Sequence, residues 1–283
     1  MIAIGICLPT FGTRYTQLRE TARHIDALGF ASIHVWDHYV SWNDPRESVL
    51  EAWTTLAGLA EATSRARIGP MVASNLNRHP GRLAKVAATL HELSGGRCDL
   101  GIGSGSEEQE QESFGIAVGD ATERVARLEE ALQIIPALWA GEPVTFHGQY
   151  YHLTDAIASP QQKAPPRLIV AAGIPRTVRL AARYADGLVF PGNDRSRFPK
   201  LFAALDASLA ECGRTRDGFD ISLHVFWHAI EHDPLQALAE WEGMGFTRAI
   251  VSVAAPLSLQ PIEMLARQLE EDDSDAPDRQ EPS

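Results

Sequence analysis

An aspartate and a histidine stand side by side where a β-branched segment of the sequence ends. Asp37 and His38 directly follow Ser32–Trp36, which has the composition of a buried strand. A neutral imidazole has an ordinary pKa of about 6.5, so it can accept or donate a proton near neutral pH. The pair is therefore a candidate for general acid or base catalysis. A helix cap and a structural hydrogen bond are the alternative interpretation of the same two residues.

Polar, glycine-bearing segments end several other predicted strands. Those that suit a ligand are Ser74-Asn75, Ser104-Gly105-Ser106 and Gly173-Ile174. Where a helix begins after such a segment, its unpaired backbone N–H groups and the positive end of its dipole attract anions. We therefore expect a phosphorylated cofactor to bind at these strand ends.

Other patterns favour structural roles. Gly101–Gly105 lacks the GxGxxG spacing of a dinucleotide-binding loop. His224, His228 and His232 recur every four residues, but the first two fall in or beside a predicted strand, which separates their side chains, so no metal site is predicted. The acidic segment Glu107–Glu112 is interpreted as a solvated face, with a gate over the site as the alternative.

Short β-branched segments alternate with longer segments of helical period along the chain. In the first helical segment, Leu18, Ala22, Ile25 and Leu28 form an apolar stripe. A small β-hairpin over Val144–Leu153 is predicted before the fifth strand. The eight predicted strands are Ile2–Leu8, Ser32–Trp36, Arg67–Val72, Cys98–Gly103, Arg167–Ala171, Gly187–Phe190, Asp220–Phe226 and Arg248–Val253. This alternation predicts an α/β fold, a (β/α)8 TIM barrel, in which sites gather at the carboxyl ends of the strands.

Length and composition agree with one domain and a small-molecule partner. A barrel of this type needs about 250 residues, and we predict a single domain over residues 1–271 of the 283. Residues 272–283 are acidic and poor in apolar side chains, which predicts a disordered C-terminal tail. The formal net charge of −12 disfavours nucleic acid and anionic membrane surfaces as partners.

Cysteine content and hydropathy bear on the compartment. Cys7, Cys98 and Cys212 are odd in number and have no CxxC spacing, which favours a reducing compartment. The apolar start of the chain lacks the basic region of a signal peptide, and no segment reaches the length of a membrane span. We expect a cytoplasmic protein.

Five segments in chain order carry a resemblance to a known family. They are HVWDHY, EAWTTLAGLAEATSRARIG, NRHPGRLAKVAATLHELSGGRCDLGIGSG, RLEEALQIIPALWAGEPVTFHGQYYHL and LIVAAGIPRTVRLAARYADG. In these segments the chain resembles the luciferase-like flavin and deazaflavin oxidoreductases, which are TIM-barrel enzymes. Asp37-His38 together with Trp42 resembles the branch that uses coenzyme F420, a deazaflavin. The resemblance implies an F420-dependent oxidoreductase that transfers a hydride between the coenzyme and a small organic substrate.

The resemblance also implies roles for individual residues. His38 would be the general acid or base beside the reactive carbon of the coenzyme, Asp37 would orient the site and Trp42 would exclude water. The family's strand-three bulge, which contains a non-proline cis peptide, matches Met71-Val72 and would back the coenzyme ring. Other cofactor contacts implied by the resemblance are Ser74 and Asn75 at the ring edge, and Gly103, Ser104, Gly105, Gly173, Ile174 and Arg176 at the phosphate.

Two departures from the family pattern bear on ligands. Ile174 stands where many members have a second glycine, which alters the approach of the backbone to the phosphate. Ser106 stands where sugar-phosphate and alcohol dehydrogenases of the class have a glutamate, so a second catalytic acid is unassigned. The lysine and arginine set of the sugar-phosphate branch is not found, which disfavours that substrate.

Alternative functions on the same fold remain open. The first is an FMN-dependent monooxygenase, since reduced FMN reacts with oxygen in a way that a deazaflavin does not. The second is a non-catalytic flavin-binding protein in which the pocket survives without proton transfer. The substrate and the direction of the reaction are not specified by the sequence, and the resemblance implies a homodimer.

Overall fold

The computed structural model describes residues 2–161 and 164–275, with side chains as far as residue 271. Parallel strands form a barrel and helices cover its outer surface, which confirms the predicted (β/α)8 architecture. The strands are β1 Ala3–Leu8, β2 Ser32–Val35, β3 Arg67–Pro70, β4 Ala73–Ser74, β5 Asp99–Gly103, β6 Val144–His147, β7 His152–Ala156, β8 Arg167–Ala171, β9 Gly187–Pro191, β10 Asp220–Phe226 and β11 Arg248–Ser252. The helices are α1 Tyr15–Ala27, α2 Ala52–Ala62, α3 Pro80–Leu93, α4 Glu108–Ser113, α5 Ala121–Trp139, α6 Pro175–Tyr184, α7 Phe198–Glu211, α8 Pro234–Met244 and α9 Gln260–Asp275.

The barrel sheet has the order β3-β2-β1-β11-β10-β9-β8-β5-β4. Strands β3 and β4 are the two halves of the third barrel strand, interrupted at Met71-Val72, where the resemblance implied a bulge; the predicted strand ended at Val72 and did not include β4. Strand β5 closes the barrel because it bridges Ile68 of β3 through Cys98 and pairs with both residues of β4. Closure brings the carboxyl ends of all eight barrel strands to one mouth.

Glycine on the inner face lets the interrupted third strand pack against β5. A Cβ atom on Gly69 would lie 1.8 Å from the carbonyl oxygen of Asp99, and one on Gly101 would lie 2.5 Å from that of Pro70. Since real Cβ atoms never approach so closely, a larger residue at either position would push the two strands apart. The predicted apolar stripe of α1 packs outside the barrel, where Leu18, Ala22 and Ile25 are buried.

Charged side chains fill the floor of the barrel, at the amino ends of the strands. The Asp99 carboxylate lies 2.5 Å from Arg67 Nε, 3.0 Å from Arg248 Nη1 and 3.8 Å from Arg167 Nε. Asp220 pairs with Arg167 and Arg248 at 2.5 and 2.8 Å. Burial acts to raise the pKa of Asp99, but the three arginines outweigh it and lower that pKa. The floor is therefore a network of paired charges that links β3, β5, β8, β10 and β11.

Two predicted segments differ in their bounds. The hairpin between α5 and β8 is present, but its second strand runs to Ala156, beyond the predicted end at Leu153. Helix α9 continues to Asp275, four residues into the predicted tail, and residues 276–283 lie outside the described residues. The division of the chain into one domain and a tail stays a prediction.

We predict that Asp99→Ala lowers the free energy of unfolding by about 3–5 kcal/mol, because it removes the carboxylate partner of Arg67 and one of the two carboxylates that pair with the buried Arg248. Urea denaturation measures the change. Asp206→Ala is the matched control, since Asp206 pairs with Arg216 on the surface, and it should cost at most about 1 kcal/mol. Equal losses for the two variants would contradict the assigned role of the floor network.

The stability of the wild type and of Asp99→Ala can also be compared as the pH is lowered. A carboxyl whose pKa is lowered by folding contributes stability above its unfolded pKa and loses that contribution as the pH falls through its folded pKa. The stability difference between wild type and Asp99→Ala should therefore shrink on acidification below about pH 4. A difference that stays constant between pH 7 and pH 3 would contradict the ionised state of Asp99.

Candidate active site

A cavity of about 360 Å³ opens at the carboxyl ends of the barrel strands. Nine of the residues predicted for catalysis or cofactor binding line it, and they come from β2, the interrupted third strand and β5. The lining residues are Asp37, His38, Trp42, Met71, Val72, Ala73, Ser74, Gly103, Ser104, Gly105, Ser106, Glu107, Gln111, Ala171, Pro191 and His224. The structure thus gathers most of the predicted site in one place.

The imidazole of His38 is held by a carboxylate that the sequence did not single out. Glu110 Oε2 lies 2.9 Å from His38 Nδ1, and Glu110 Oε1 accepts a hydrogen bond of 2.6 Å from the backbone N–H of Tyr39. Only 5% of Glu110 is exposed. A carboxylate accepts hydrogen bonds, so Nδ1 carries the proton and Nε2 is the nitrogen left for a substrate.

Asp37 does not point a free carboxylate into the cavity. Both of its oxygens accept hydrogen bonds from Arg78, at 2.6 and 3.0 Å, and Ser74 N–H donates to it at 3.2 Å. Arg78 also binds Glu51 at 2.6 Å. Burial raises the pKa of Asp37, while the guanidinium and the Ser74 N–H act against that rise. The pair joins the end of β2 to the residues after β4 and so supports the cavity wall.

Aromatic rings form the side of the cavity next to His38. The rings of Trp42 and His38 meet edge to face, with 4.8 Å between centroids. Trp42 also packs on Trp36 at 4.6 Å and on Phe11 at 5.6 Å. About half of the Trp42 surface, 49%, is exposed. Trp42 is thus placed to shield one side of a ligand that lies against His38.

The interruption of the third strand forms the opposite wall. The Met71-Val72 peptide bond is cis, as the resemblance implied. A Cβ atom on Gly103 would lie 3.1 Å from Val72 Cγ2, so the glycine lets β5 pack closely against the Met71-Val72 interruption. Gly105 has a φ of +88° and would carry a Cβ atom 2.8 Å from Leu76 Cδ1. The turn after β5 therefore presents backbone to the cavity.

Asn75 lies beside the cavity, and its side chain is buried. Its side chain does not line the cavity: it is 1% exposed, and its Nδ2 donates to the Tyr151 hydroxyl at 3.2 Å. Successive residues of an extended chain point to opposite faces, so Ser74 faces the cavity and Asn75 faces the hairpin. The expected contact of Asn75 with a cofactor ring stays a prediction.

Of the six residues predicted at the phosphate, Gly103, Ser104 and Gly105 line the cavity, whereas Gly173, Ile174 and Arg176 lie at the start of α6. A Cβ atom on Gly173 would lie 3.6 Å from Pro191, which itself lines the cavity. The Gly173 carbonyl accepts a hydrogen bond from Arg197, and Arg176 lies in the first turn of α6. Ile174 is exposed next to them. Two arginines thus flank this edge of the mouth.

Sequence reasoning missed the two residues that hold Asp37 and His38. Arg78 lies in a segment that carried the resemblance, but it received no role. Glu110 belongs to the acidic segment interpreted as a solvated face, and this interpretation is wrong for Glu110 and Gln111, which are both buried. No local signal distinguishes Glu110 from its acidic neighbours, since its partner lies 72 residues away.

Comparison with known proteins identifies the family of this chain. A family model described as luciferase-like monooxygenase matches residues 2–281. The chain belongs to this luciferase-like family. It is 36% identical over 255 residues to the F420-dependent glucose-6-phosphate dehydrogenase of Microbacterium testaceum, covering 85% of this chain and 75% of the relative. It is 30% identical to the F420-dependent hydroxymycolic acid dehydrogenase of Mycobacterium tuberculosis, covering 91% and 71% of the two chains.

Solved structures share the fold of this luciferase-like chain. An F420-dependent secondary alcohol dehydrogenase in complex with an F420-acetone adduct superposes with a TM-score of 0.84 at 18% identity, covering 94% of this chain and 97% of the other. The coenzyme F420-dependent tetrahydromethanopterin reductase of Methanopyrus kandleri gives a TM-score of 0.79 at 17% identity, with the same coverage. At these identities the likeness establishes the barrel.

We predict that Glu110→Ala lowers the free energy of unfolding by about 1–3 kcal/mol, because it leaves the Tyr39 N–H and the His38 Nδ1–H without their acceptor. Nitrogen NMR of the histidine side chains should also show that His38 loses its fixed Nδ1–H tautomer. Glu108→Ala, which removes an exposed partner of Arg124 on the same short helix, is the control and should leave the tautomer unchanged. An unaltered His38 spectrum in Glu110→Ala would contradict the assigned contact.

Proposed function

We propose that this chain is an F420-dependent oxidoreductase of the luciferase-like class, which transfers a hydride between the deazaflavin coenzyme and a small organic substrate. The observation that carries the proposal is the imidazole of His38, held through Nδ1 by a buried carboxylate at 2.9 Å and placed in the wall of the cavity at the carboxyl ends of the barrel strands. Relatives with up to 36% identity that are named as F420-dependent dehydrogenases support this choice of coenzyme.

The residues around the cavity suit a flat, polar-edged ring with a phosphate-bearing side chain. Val72 and the glycines after β5 offer a close-packed wall, and the hydroxyl groups of Ser74 and Ser104 lie in the lining. At the rim, Arg176 and Arg197 flank the start of α6, where backbone N–H groups and two cations suit a phosphate. When bound, F420 supplies or accepts the hydride.

His38 would handle the proton that accompanies hydride transfer. With Nδ1 protonated and bound to Glu110, Nε2 can accept a proton from a substrate hydroxyl in the oxidation direction, or return it in reduction. The Glu110 carboxylate then lies 2.9 Å from the imidazolium and stabilises its charge. Glu110 is thus proposed as a positioning residue that fixes the tautomer and orientation of His38.

Asp37 and Trp42 would support this chemistry without exchanging protons. The two hydrogen bonds from Arg78 occupy the Asp37 carboxylate, so its proposed role is to fix the strand end that carries His38. Trp42 would cover His38 and limit access of water to the reacting atoms. Ser74, on the cavity side of the third strand, is the proposed contact at the ring edge.

The assembly and compartment of the enzyme are part of the same proposal. We expect a homodimer in the cytoplasm that acts on a small molecule. None of the described helices is both long and apolar enough to cross a membrane. All three cysteines are free, as expected of a reducing compartment, and two of them are buried.

An FMN-dependent monooxygenase is the second candidate, because the matching family model is described as luciferase-like monooxygenase and a monooxygenase from Streptomyces bottropensis shares the fold with a TM-score of 0.76. We predict that purified protein binds F420 at least about tenfold more tightly than FMN. Fluorescence titration of both cofactors measures the preference. The reverse order, together with oxygen uptake in the presence of reduced FMN, would establish the second candidate instead.

We predict that His38→Ala lowers kcat by about 10²- to 10⁴-fold, since it removes the proton-transfer group, while the Kd for F420 changes by less than about threefold. Turnover with a panel of alcohols, aldehydes and enones and a cofactor titration measure the two quantities. His152→Ala, on the exposed hairpin, is the control and should behave as wild type. Failure of the wild-type protein to turn over any of the panel would favour a non-catalytic flavin-binding protein.

A further inference from the structure

A second cavity, of about 230 Å³, adjoins the catalytic cavity. The two share Pro191 and His224 in their linings, and the second extends along the carboxyl end of β10. Its walls include Val225, Phe226 and His228. None of the coenzyme contacts proposed above belongs to it. It is therefore the space beside the catalytic cavity that a substrate larger than a few atoms would enter.

The histidine between the two cavities is uncharged at neutral pH. His224 Nε2 lies 2.7 Å from the hydroxyl of Ser252, and burial lowers the pKa of His224 to about 4. Ser252 also contacts Cys7, whose thiol stays protonated because burial raises its pKa to about 12. These groups form a neutral hydrogen-bonded chain under the junction of the cavities. The junction thus offers polarity without a positive charge.

The linings of both cavities lack a cation. Among the residues that the structure describes, neither lining contains a lysine or an arginine. The acids in the catalytic cavity are Asp37, which is paired with Arg78, and Glu107, which is exposed. A phosphate ester would bring about two negative charges into this space with no partner, at a large desolvation cost. The arginines near the mouth, Arg176 and Arg197, stand instead at the rim assigned to the coenzyme.

The shared space has apolar, aromatic walls. The Phe226 ring lies 6.0 Å from the buried Trp36, whose other neighbours are Phe11 and Trp42, so a packed aromatic cluster connects the wall beside His38 to Phe226 in the second cavity. His228 stacks nearly parallel to Phe226, with 5.8 Å between centroids and 15° between planes. Such a surface favours an apolar body by burial of carbon surface and disfavours a strongly hydrated group.

We propose that the substrate is an uncharged alcohol or carbonyl compound whose reacting oxygen lies at His38 and whose apolar body occupies the second cavity against Phe226. Phe226 is then a residue that determines specificity, and a phosphorylated sugar, the substrate in the name of the 36% identical relative, is excluded. This inference rests on the proposed function for the placement of the reacting oxygen. The preference for an uncharged, apolar body follows from the cavity walls themselves.

The test compares cyclohexanol with glucose 6-phosphate as probes, through the tryptophan fluorescence of Trp36 and Trp42 and saturation-transfer NMR. In F420-loaded wild-type protein, cyclohexanol should bind at least about tenfold more tightly than glucose 6-phosphate. Phe226→Arg should weaken cyclohexanol and strengthen glucose 6-phosphate, each by about tenfold or more, because it places a guanidinium in the second cavity. Phe226→Leu, which keeps the wall apolar, should bind cyclohexanol within about threefold of wild type.

Leu259→Arg is the control for added charge, since Leu259 is exposed and outside both linings, and it should leave both affinities unchanged. Tighter binding of glucose 6-phosphate than of cyclohexanol by the wild type, or saturable binding of neither probe, would overturn the inference. The same comparison in coenzyme-free protein separates the two proposals. If F420 fails to bind, the proposed function falls, whereas the ranking of the two probes still tests the cavity walls.

Discussion

One buried carboxylate, that of Asp99, connects strands from different parts of the chain at the floor of the barrel. It lies within ion-pair distance of arginines on β3, β8 and β11, while its own strand, β5, completes the sheet. Burying a charge is tolerable only when the charge is paired and hydrogen-bonded, so these arginines and Asp99 require one another. The inner-face glycines at 69 and 101 then let the third strand approach β5 closely enough to close the barrel. Every residue at the mouth depends on this closure for its position.

At the mouth, the same rule of paired charges separates two acids by function. Asp37 is adjacent in sequence to the imidazole, yet its carboxylate is bound by Arg78 and fixes a strand end. Glu110 is distant in sequence, yet it is the carboxylate that contacts His38 Nδ1. In the proposed function His38 is the imidazole that transfers the proton, oriented by one buried acid, in a cavity whose lining also holds the hydroxyls of Ser74 and Ser104 and the uncharged His224.

In this luciferase-like barrel the proposed coenzyme edge carries cations, whereas the described lining of the proposed substrate space contains none. Arginines flank the start of α6, whereas aromatic and neutral residues line the space along β10. Loops at the carboxyl ends of barrel strands vary without disturbing the strands that carry them, so one scaffold accepts different substrates. Relatives that share more than 30% of this sequence therefore inform the choice of coenzyme better than the choice of substrate.

The sequence by itself determined the features that depend on neighbours along the chain: the alternation of strands and helices, the hairpin, the placement of Asp37-His38 at a strand end and the glycine turn after β5. Local pattern suffices there, because hydrophobic period and turn residues act over a few positions. Only the tertiary structure decided which carboxylate contacts His38, that Arg78 binds the Asp37 carboxylate and that the Asn75 side chain donates a hydrogen bond to Tyr151. It also decided that His224 lies between two cavities. Those contacts join residues 28 to 76 positions apart, and barrel closure, which no local pattern encodes, brings them together.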